Sequence, residues 1–236
     1  MNSTKKQARV AGILYLLASI IGIFGLIYVP RLIVPGDATA TANHVRGSET
    51  LVRLGIASEL AGFIIFIFVV LALYRLFKGV NEKYALAMAI LLLVSIPISL
   101  LNVLNEIAAV ILVSGADFLS AFEKGQLDAL AYLFLRLHGQ GFVVAQIFWG
   151  LWLFPFGILI IRSGFIPRVL GYLLFIAAFG HLASSCTSLV FPSYRHLVDQ
   201  FAGILQIAEL PTIFWLLIMG AKDQPLDGEA PDRAIA

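Results

Sequence analysis

Glu59, Glu106, His138, His181 and Glu209 stand among stretches of the chain that are otherwise almost wholly apolar. Carboxylates and imidazoles hold and pass protons, ligate metal ions, and bind cationic or hydrogen-bonding groups. In hydrocarbon an ionisable side chain costs at least about 2.5–3.5 kcal/mol at a helix centre, so each of these residues is a site hypothesis until it is explained otherwise. Asn102, Asn105 and Gln206 add amides nearby in sequence, and Arg136, Gln140, Gln146, Ser184, Ser185 and Ser188 complete the polar set at depth.

Spacing organises these residues. Ser95, Ser99, Asn102 and Glu106 recur at intervals of four, three and four, which places them on one face of a helix. His181, Ser184, Ser185 and Ser188 do the same, and Gln206 and Glu209 share a face just before Pro211. Gly55, Ser58, Glu59 and Gly62 combine a small face with a polar one. Such stripes are satisfied when they face one another across a bundle interior. Stretches 66–73, 87–94, 151–161, 169–179 and 213–218 are nearly pure Leu, Ile, Val, Phe and Ala. That asymmetry predicts a pocket entered from the outer side and closed beneath.

Several chemistries find little support. An intramembrane metal-dependent hydrolase needs about three His or carboxylate ligands and an open position. Glu59, Glu106, His138, His181 and Glu209 could supply them, but no HExxH-type motif is present. Haem held by His138 and His181 would need them at one depth, and their positions place them at different depths. His181 cannot form a hydrolase triad with Ser184 or Ser185 on its own helix. Every Lys lies in a loop or tail, which leaves no Schiff-base lysine, and there is no Gly-rich phosphate loop. The lone Cys186 excludes a disulfide framework. The sequence assigns no cofactor, no metal ligand set and no catalytic residue.

The elements that must position the polar groups are membrane helices. Apolar residues make up 60% of the 236 positions and charged residues 13%, against about 45–50% and about 25% in ordinary globular chains. A net charge of +2 is too small to track a phosphate backbone, so nucleic acid is excluded as a partner. Six stretches reach the length of about 20 residues that a bilayer core requires: 10–28, 54–74, 85–113, 141–161, 169–190 and 201–220. Their backbone amides must be satisfied internally, so they are helices. If the N-terminus is cytoplasmic, ten Lys and Arg fall inside and six outside, which follows the positive-inside rule.

The connections carry further expectations. The first span, longer than a signal h-region and lacking a small-residue cleavage site, is read as retained. The outer loop over 29–53 has helix starts at Asp37 and Ser48. Residues 116–126 resemble a short amphipathic helix stopped by Gly125, and the fourth helix extends outward to bend near Gly139 and Gly141. His44 and His196 are read as loop residues, and Trp149 and Trp152 as packing. Arg136 either snorkels outward or pairs with Glu106 or Glu59. The start of its span puts Glu59 about five residues from the outer end. Ala18, Gly22 and Gly25 form a small face suited to helix contacts within or between subunits. The polar tail over 223–236 is expected to be disordered.

The run Trp149-Gly150-Leu151-Trp152-Leu153-Phe154-Pro155-Phe156-Gly157, continued by Arg162-Ser163-Gly164-Phe165-Ile166-Pro167-Arg168, resembles the central signature of domain-of-unknown-function family 4386. Leu101-Asn102-Val103-Leu104-Asn105 and Leu135-Arg136-Leu137-His138 extend the likeness, which covers almost the whole chain. The resemblance implies a prokaryotic plasma-membrane protein with this span pattern and brings no reaction, cofactor or catalytic residue.

The expected fold is all-α: a polytopic membrane protein with six transmembrane helices over 1–222, both termini cytoplasmic, and an outer interfacial helical segment. The leading function is an outward-opening polar pocket for a small molecule, ion or lipid, lined by Glu59, Asn102, Asn105, Glu106, His138, His181, Gln206 and Glu209. Its expected partners are the bilayer, that ligand and a second copy of the chain. A membrane-embedded metal-dependent enzyme and an accessory subunit without a ligand site stay open as alternatives.

Overall fold

The computed structural model describes residues 3–222 and is helical throughout, with turns and no strand among the described residues. The helices are α1 (Ser3–Arg31), α2 (Ala38–Gly47), α3 (Glu49–Phe77), α4 (Glu82–Val113), α5 (Lys124–Leu151), α6 (Leu153–Ser163), α7 (Arg168–Val190), α8 (Arg195–Gln206) and α9 (Leu210–Ile218). Helices α1, α3, α4 and α7, together with the α5–α6 and α8–α9 pairs, give six spans long and apolar enough to cross a membrane. An even number of crossings leaves both chain ends on one side of the bundle. Large side chains face outward along them, with Ile20 at 59%, Phe68 at 54% and Leu101 at 65% exposure. A belt of this kind is a liability in water and an asset in lipid. The chain is a multi-pass membrane protein.

Local chemistry sets the helix ends, and in several places they differ from the sequence expectation. Asp37 caps α2 by accepting from the Ala40 amide at 2.8 Å, as its type predicts. Ser48 stands at the start of α3, but its side chain makes no capping bond. Helix α3 begins at Glu49, so Glu59 lies ten residues, roughly 15 Å, from that end rather than five. A polar first turn continues a helix whose apolar run starts later, and hydropathy alone misses it. His44 lies in α2, where its Nδ1 stands 3.1 Å from the Leu32 carbonyl, and His196 lies in α8. Neither is a loop residue.

Between α4 and α5 the structure has a 3-10 turn at Asp117–Leu119 instead of an amphipathic helix. Gly125 is inside the first turn of α5 because Glu123 and Gln126 form a reciprocal capping box in front of it. The long fourth crossing does not break at Gly139 or Gly141. It breaks at Trp152, because Pro155 has no N–H to offer Leu151, and the ladder resumes with the Phe156 amide on the Trp152 carbonyl at 3.2 Å. The last crossing breaks in the same way. A 3-10 stretch at Ile207–Glu209 separates α8 from α9 just ahead of Pro211. The tail over 223–236 lies outside the described residues.

Two buried apolar clusters frame the interior. The one nearer the chain ends joins Tyr15, Leu73, Phe77, Met88, Leu153, Phe156 and Leu174, and Phe77 meets Phe156 edge-on at 5.7 Å. The other joins Val29, Val52, Ile56, Val103, Val110 and Leu135 toward the opposite end. Lipid tails are as apolar as these side chains, so close packing rather than escape from water holds the helices together. The small face of α1 settles against α3 within the chain. A Cβ on Gly62 would lie 2.9 Å from the Gly22 Cα, and the Gly25 amide donates to the Ser58 Oγ at 3.1 Å. Helix α9 packs on the terminal part of α1, whereas α8 packs on α7.

Candidate functional site

Three of the sequence candidates meet at one point in the interior. Glu59 from α3, Glu106 from α4 and His138 from α5 are at most 3% exposed. The His138 Nε2 lies 3.4 Å from a Glu59 oxygen, and its Nδ1 lies 3.1 Å from a Glu106 oxygen. Apart from these contacts within the triad, none of the four carboxylate oxygens, nor the His138 Nε2, has a hydrogen-bond partner. Ligand atoms drawn one from each residue lie within 4.8 Å of one another.

The neighbours of this triad hold it in place. Asn102 donates from Nδ2 to the His138 carbonyl at 2.9 Å, and Asn105 donates to the Asn102 Oδ1 at 3.1 Å. The two asparagines brace α4 against α5 beside the triad. Phe142 sets its ring edge-to-face with His138 at 4.7 Å. Gly141 leaves the space that the Asn102 amide fills, and a Cβ at Gly25 would press on Glu59 Cγ at 2.6 Å. Glycines on α1 and α5 therefore make the room in which the polar groups converge.

The remaining candidates lie around a cavity of about 270 Å³. His181 of α7 faces Glu209 at 3.8 Å, and the Gln146 amide of α5 stands 3.4 Å from the His181 Nδ1. His181, Gln206, Glu209 and Glu59 all line the wall. Apolar groups line most of the rest, among them Phe63, Phe66, Ile96, Trp149, Trp152 and Ile213, with Ser19 and Ser95 between them. The liners Ile23, Leu26 and Leu210 are also exposed on the outside of the bundle, so the mouth opens sideways between α1 and α9. Glu59 belongs to both the triad and the cavity wall. Trp149 and Trp152, expected as packing, line the cavity as well.

Some groups fall elsewhere. Arg136 is exposed and forms no ion pair with Glu59 or Glu106. Ser185 donates to the Val143 carbonyl at 2.6 Å, and Ser184 donates to Asp199, so much of that stripe is internal hydrogen bonding. The sequence reading passed over Asp128, which is 1% exposed and pairs with Arg46 of α2 and, at 2.7 Å, with Lys124. It sits before the apolar run that defined the fourth span, yet its position one turn after Lys124 gives a visible i, i+4 pair.

A family model described as Domain of unknown function (DUF4386) matches residues 10–220. An uncharacterized protein of Archaeoglobus fulgidus is 34% identical over 79 residues, which is 34% of this chain. The match spans 46% of that relative's own length. No solved structure matches the chain.

Proposed function

The chain belongs to the DUF4386 family, and we propose that it is a plasma-membrane binding protein for an amphiphile, which it senses or transports. The amphiphile enters sideways from the bilayer and places a cationic or hydrogen-bond-donating head against Glu59, His181, Gln206 and Glu209. The observation that carries this reading is the makeup of the cavity wall: aromatic and branched apolar groups over most of it, with two carboxylates, an amide and an imidazole among them, His181 and Glu209 3.8 Å apart. Sites of this kind take apolar bodies and fix orientation with a few polar contacts. The volume, about 270 Å³, is just below the roughly 300–1,000 Å³ typical of small-molecule sites.

The distribution of Lys and Arg supports cytoplasmic termini, so the outer leaflet is the source of the ligand in this reading. The side opening follows from how the last crossing is built. Helix α8 leans on α7, and the break before Pro211 lets α9 return to α1 only near the chain ends. The packed cluster around Phe77 and Phe156 closes the interior on the terminal side, which fits a dead-ended chamber better than a through-pore.

The test uses the chain's own tryptophans. In a Trp215→Phe background only Trp149 and Trp152 remain, and both line the cavity. A brominated long-chain alkylamine titrated into purified protein is expected to quench them saturably, and Glu209→Gln is expected to weaken that binding at least about tenfold, the worth of about 1.4 kcal/mol. Quenching that rises without saturation, as micelle partitioning gives, or that is unchanged in Glu209→Gln, overturns the reading.

A further inference from the structure

We propose that Glu59, Glu106 and His138 form a binding site for one divalent transition-metal ion of the zinc class. The site shares Glu59 with the cavity, but the identity of the cavity's ligand does not enter the inference.

Convergence is the first argument. The three side chains come from three helices, α3, α4 and α5, and are brought together at full burial with their ligand atoms within 4.8 Å. Glycines on two adjoining helices leave the space for them, Gly25 beside Glu59 and Gly141 beside the asparagine that bonds the His138 carbonyl. A cluster made only of stray polar residues would be expected to spend its hydrogen-bonding capacity on neighbours. Here most of the neighbouring polar groups do so. Asn102, Asn105 and Ser95 bond to nearby atoms, whereas Ser99 does not, and the carboxylates of the triad have no hydrogen-bond partner outside the triad itself.

Charge is the second argument. Two carboxyl groups side by side in a low-dielectric interior cannot both ionise unless a cation offsets them; without one, a proton stays on the pair. The basic residues do not answer them. Arg136 points outward, and Arg53 is bonded to Glu49 on its own helix at 2.8 Å. Among the described residues His138 is the one basic side chain in contact, and a single imidazolium beside two ionised carboxylates would leave the cluster with a net negative charge. A divalent cation bound by a neutral imidazole and two carboxylates brings it to zero.

Ligand chemistry selects the ion. One imidazole nitrogen with two carboxylate oxygens suits zinc and its first-row neighbours. Calcium and magnesium prefer all-oxygen sites with more ligands or retained water. Three protein ligands leave a coordination position open, and Glu59 also borders the cavity, which gives the ion a route in and an exogenous ligand a route to it.

The test is metal content in the full chain purified in detergent without a polyhistidine tag. After incubation with Zn2+ alone and desalting, elemental analysis is expected to find about one zinc per chain, and X-ray absorption is expected to show one imidazole with oxygen ligands at about 2.0–2.2 Å. Zn2+ is expected to raise the melting temperature of the wild type through preferential binding to the folded state. Glu106→Gln and His138→Gln are expected to lose at least about tenfold in Zn2+ affinity. The wild-type measurements stand even where a variant fails to fold. Wild type that retains only background zinc, or an absorption spectrum without a single imidazole ligand, overturns the proposal, as does undiminished binding in well-folded Glu106→Gln and His138→Gln. No alkylamine is present in this experiment and its readout is metal content, so its failure and that of the cavity reading are separately visible.

Discussion

Gly139 and Gly141 lie two residues apart on α5, and the same substitution is expected to act on them in opposite directions. A Cβ at Gly139 meets nothing within 4 Å. Gly139→Ala therefore keeps only the benefit of removing a helix glycine, about 0.5–1 kcal/mol of added stability. A Cβ at Gly141 lands on the Asn102 amide, with Oδ1, Cγ and Nδ2 as its nearest atoms. Asn102 is 6% exposed and gives its N–H to the His138 carbonyl at 2.9 Å, so it has little room to move and a bond to lose. That bond is worth about 0.6–1.7 kcal/mol in a membrane interior, and overpacking adds about 1–3 kcal/mol. After the helix-propensity gain is subtracted, the net destabilisation centres on about 2 kcal/mol, roughly 30-fold in the folded-to-unfolded ratio. Reversible unfolding by SDS in mixed micelles, followed by circular dichroism, measures both variants. In an Asn102→Ala background the clash is gone, so adding Gly141→Ala should cost little further stability. Gly141→Ala that equals or exceeds Gly139→Ala in stability, or that costs the same with and without Asn102, refutes the reasoning.

Two further predictions concern the scaffold. Gly62→Val should push α1 from α3, because its Cβ alone would come within 2.9 Å of the Gly22 Cα; a loss of about 1–3 kcal/mol in the same unfolding assay is expected, and wild-type stability would remove the case for a tight α1–α3 seam. Asp128→Asn should loosen α2, because buried Asp128 joins Arg46 of that helix to Lys124 while those partners are 29% and 65% exposed. Solvent around them reduces the loss to about 1–3 kcal/mol, and hydrogen exchange across Ala38–Gly47 should speed up in the variant; unchanged exchange there would show that α2 is held by other contacts.

Hydropathy was enough to find the six crossings, because a bilayer demands about 20 apolar residues whatever their order. Helix ends were harder to read. Lys5, Lys6 and Arg9 belong to α1 and Glu49 and Arg53 to α3, since a helix runs on through polar turns once its backbone ladder is formed. The same effect left the meeting of His138 with Glu59 and Glu106 unread. Hydropathy started the fourth span at 141, with His138 on an outward extension expected to bend near Gly139 and Gly141, whereas α5 runs unbroken from Lys124 to Leu151 and carries it to Glu59 and Glu106. Periodicity identified the polar face of α4 from Ser95 to Glu106, but it could not say which helix that face would meet. The pairing is set by steric details with no hydropathy signature: Gly22 against Gly62, Gly25 against Gly55 and Glu59, and Gly141 against Asn102. The side opening was out of reach for a related reason, because it depends on α8 leaning on α7 while α9 returns to α1.

The placement of Glu59 ties these features together. It follows Ser58, whose hydroxyl receives the Gly25 amide, so the seam that draws α1 onto α3 also fixes the rotation of α3 that turns Glu59 inward. From there one carboxylate faces two environments, a dry triad with Glu106 and His138 and a cavity shared with His181 and Glu209. If the triad holds an ion and the cavity an amphiphile, both depend on the orientation of that one side chain. Linkage then requires that any effect of the ion on the amphiphile's affinity be matched by an equal effect of the amphiphile on the ion's. A purely structural role would need only a hydrogen-bonded Glu59, whereas its oxygens are buried with no hydrogen-bond partner outside the triad. A group left in that condition, at the junction of two polar stations, fits a residue kept for binding better than one kept for packing.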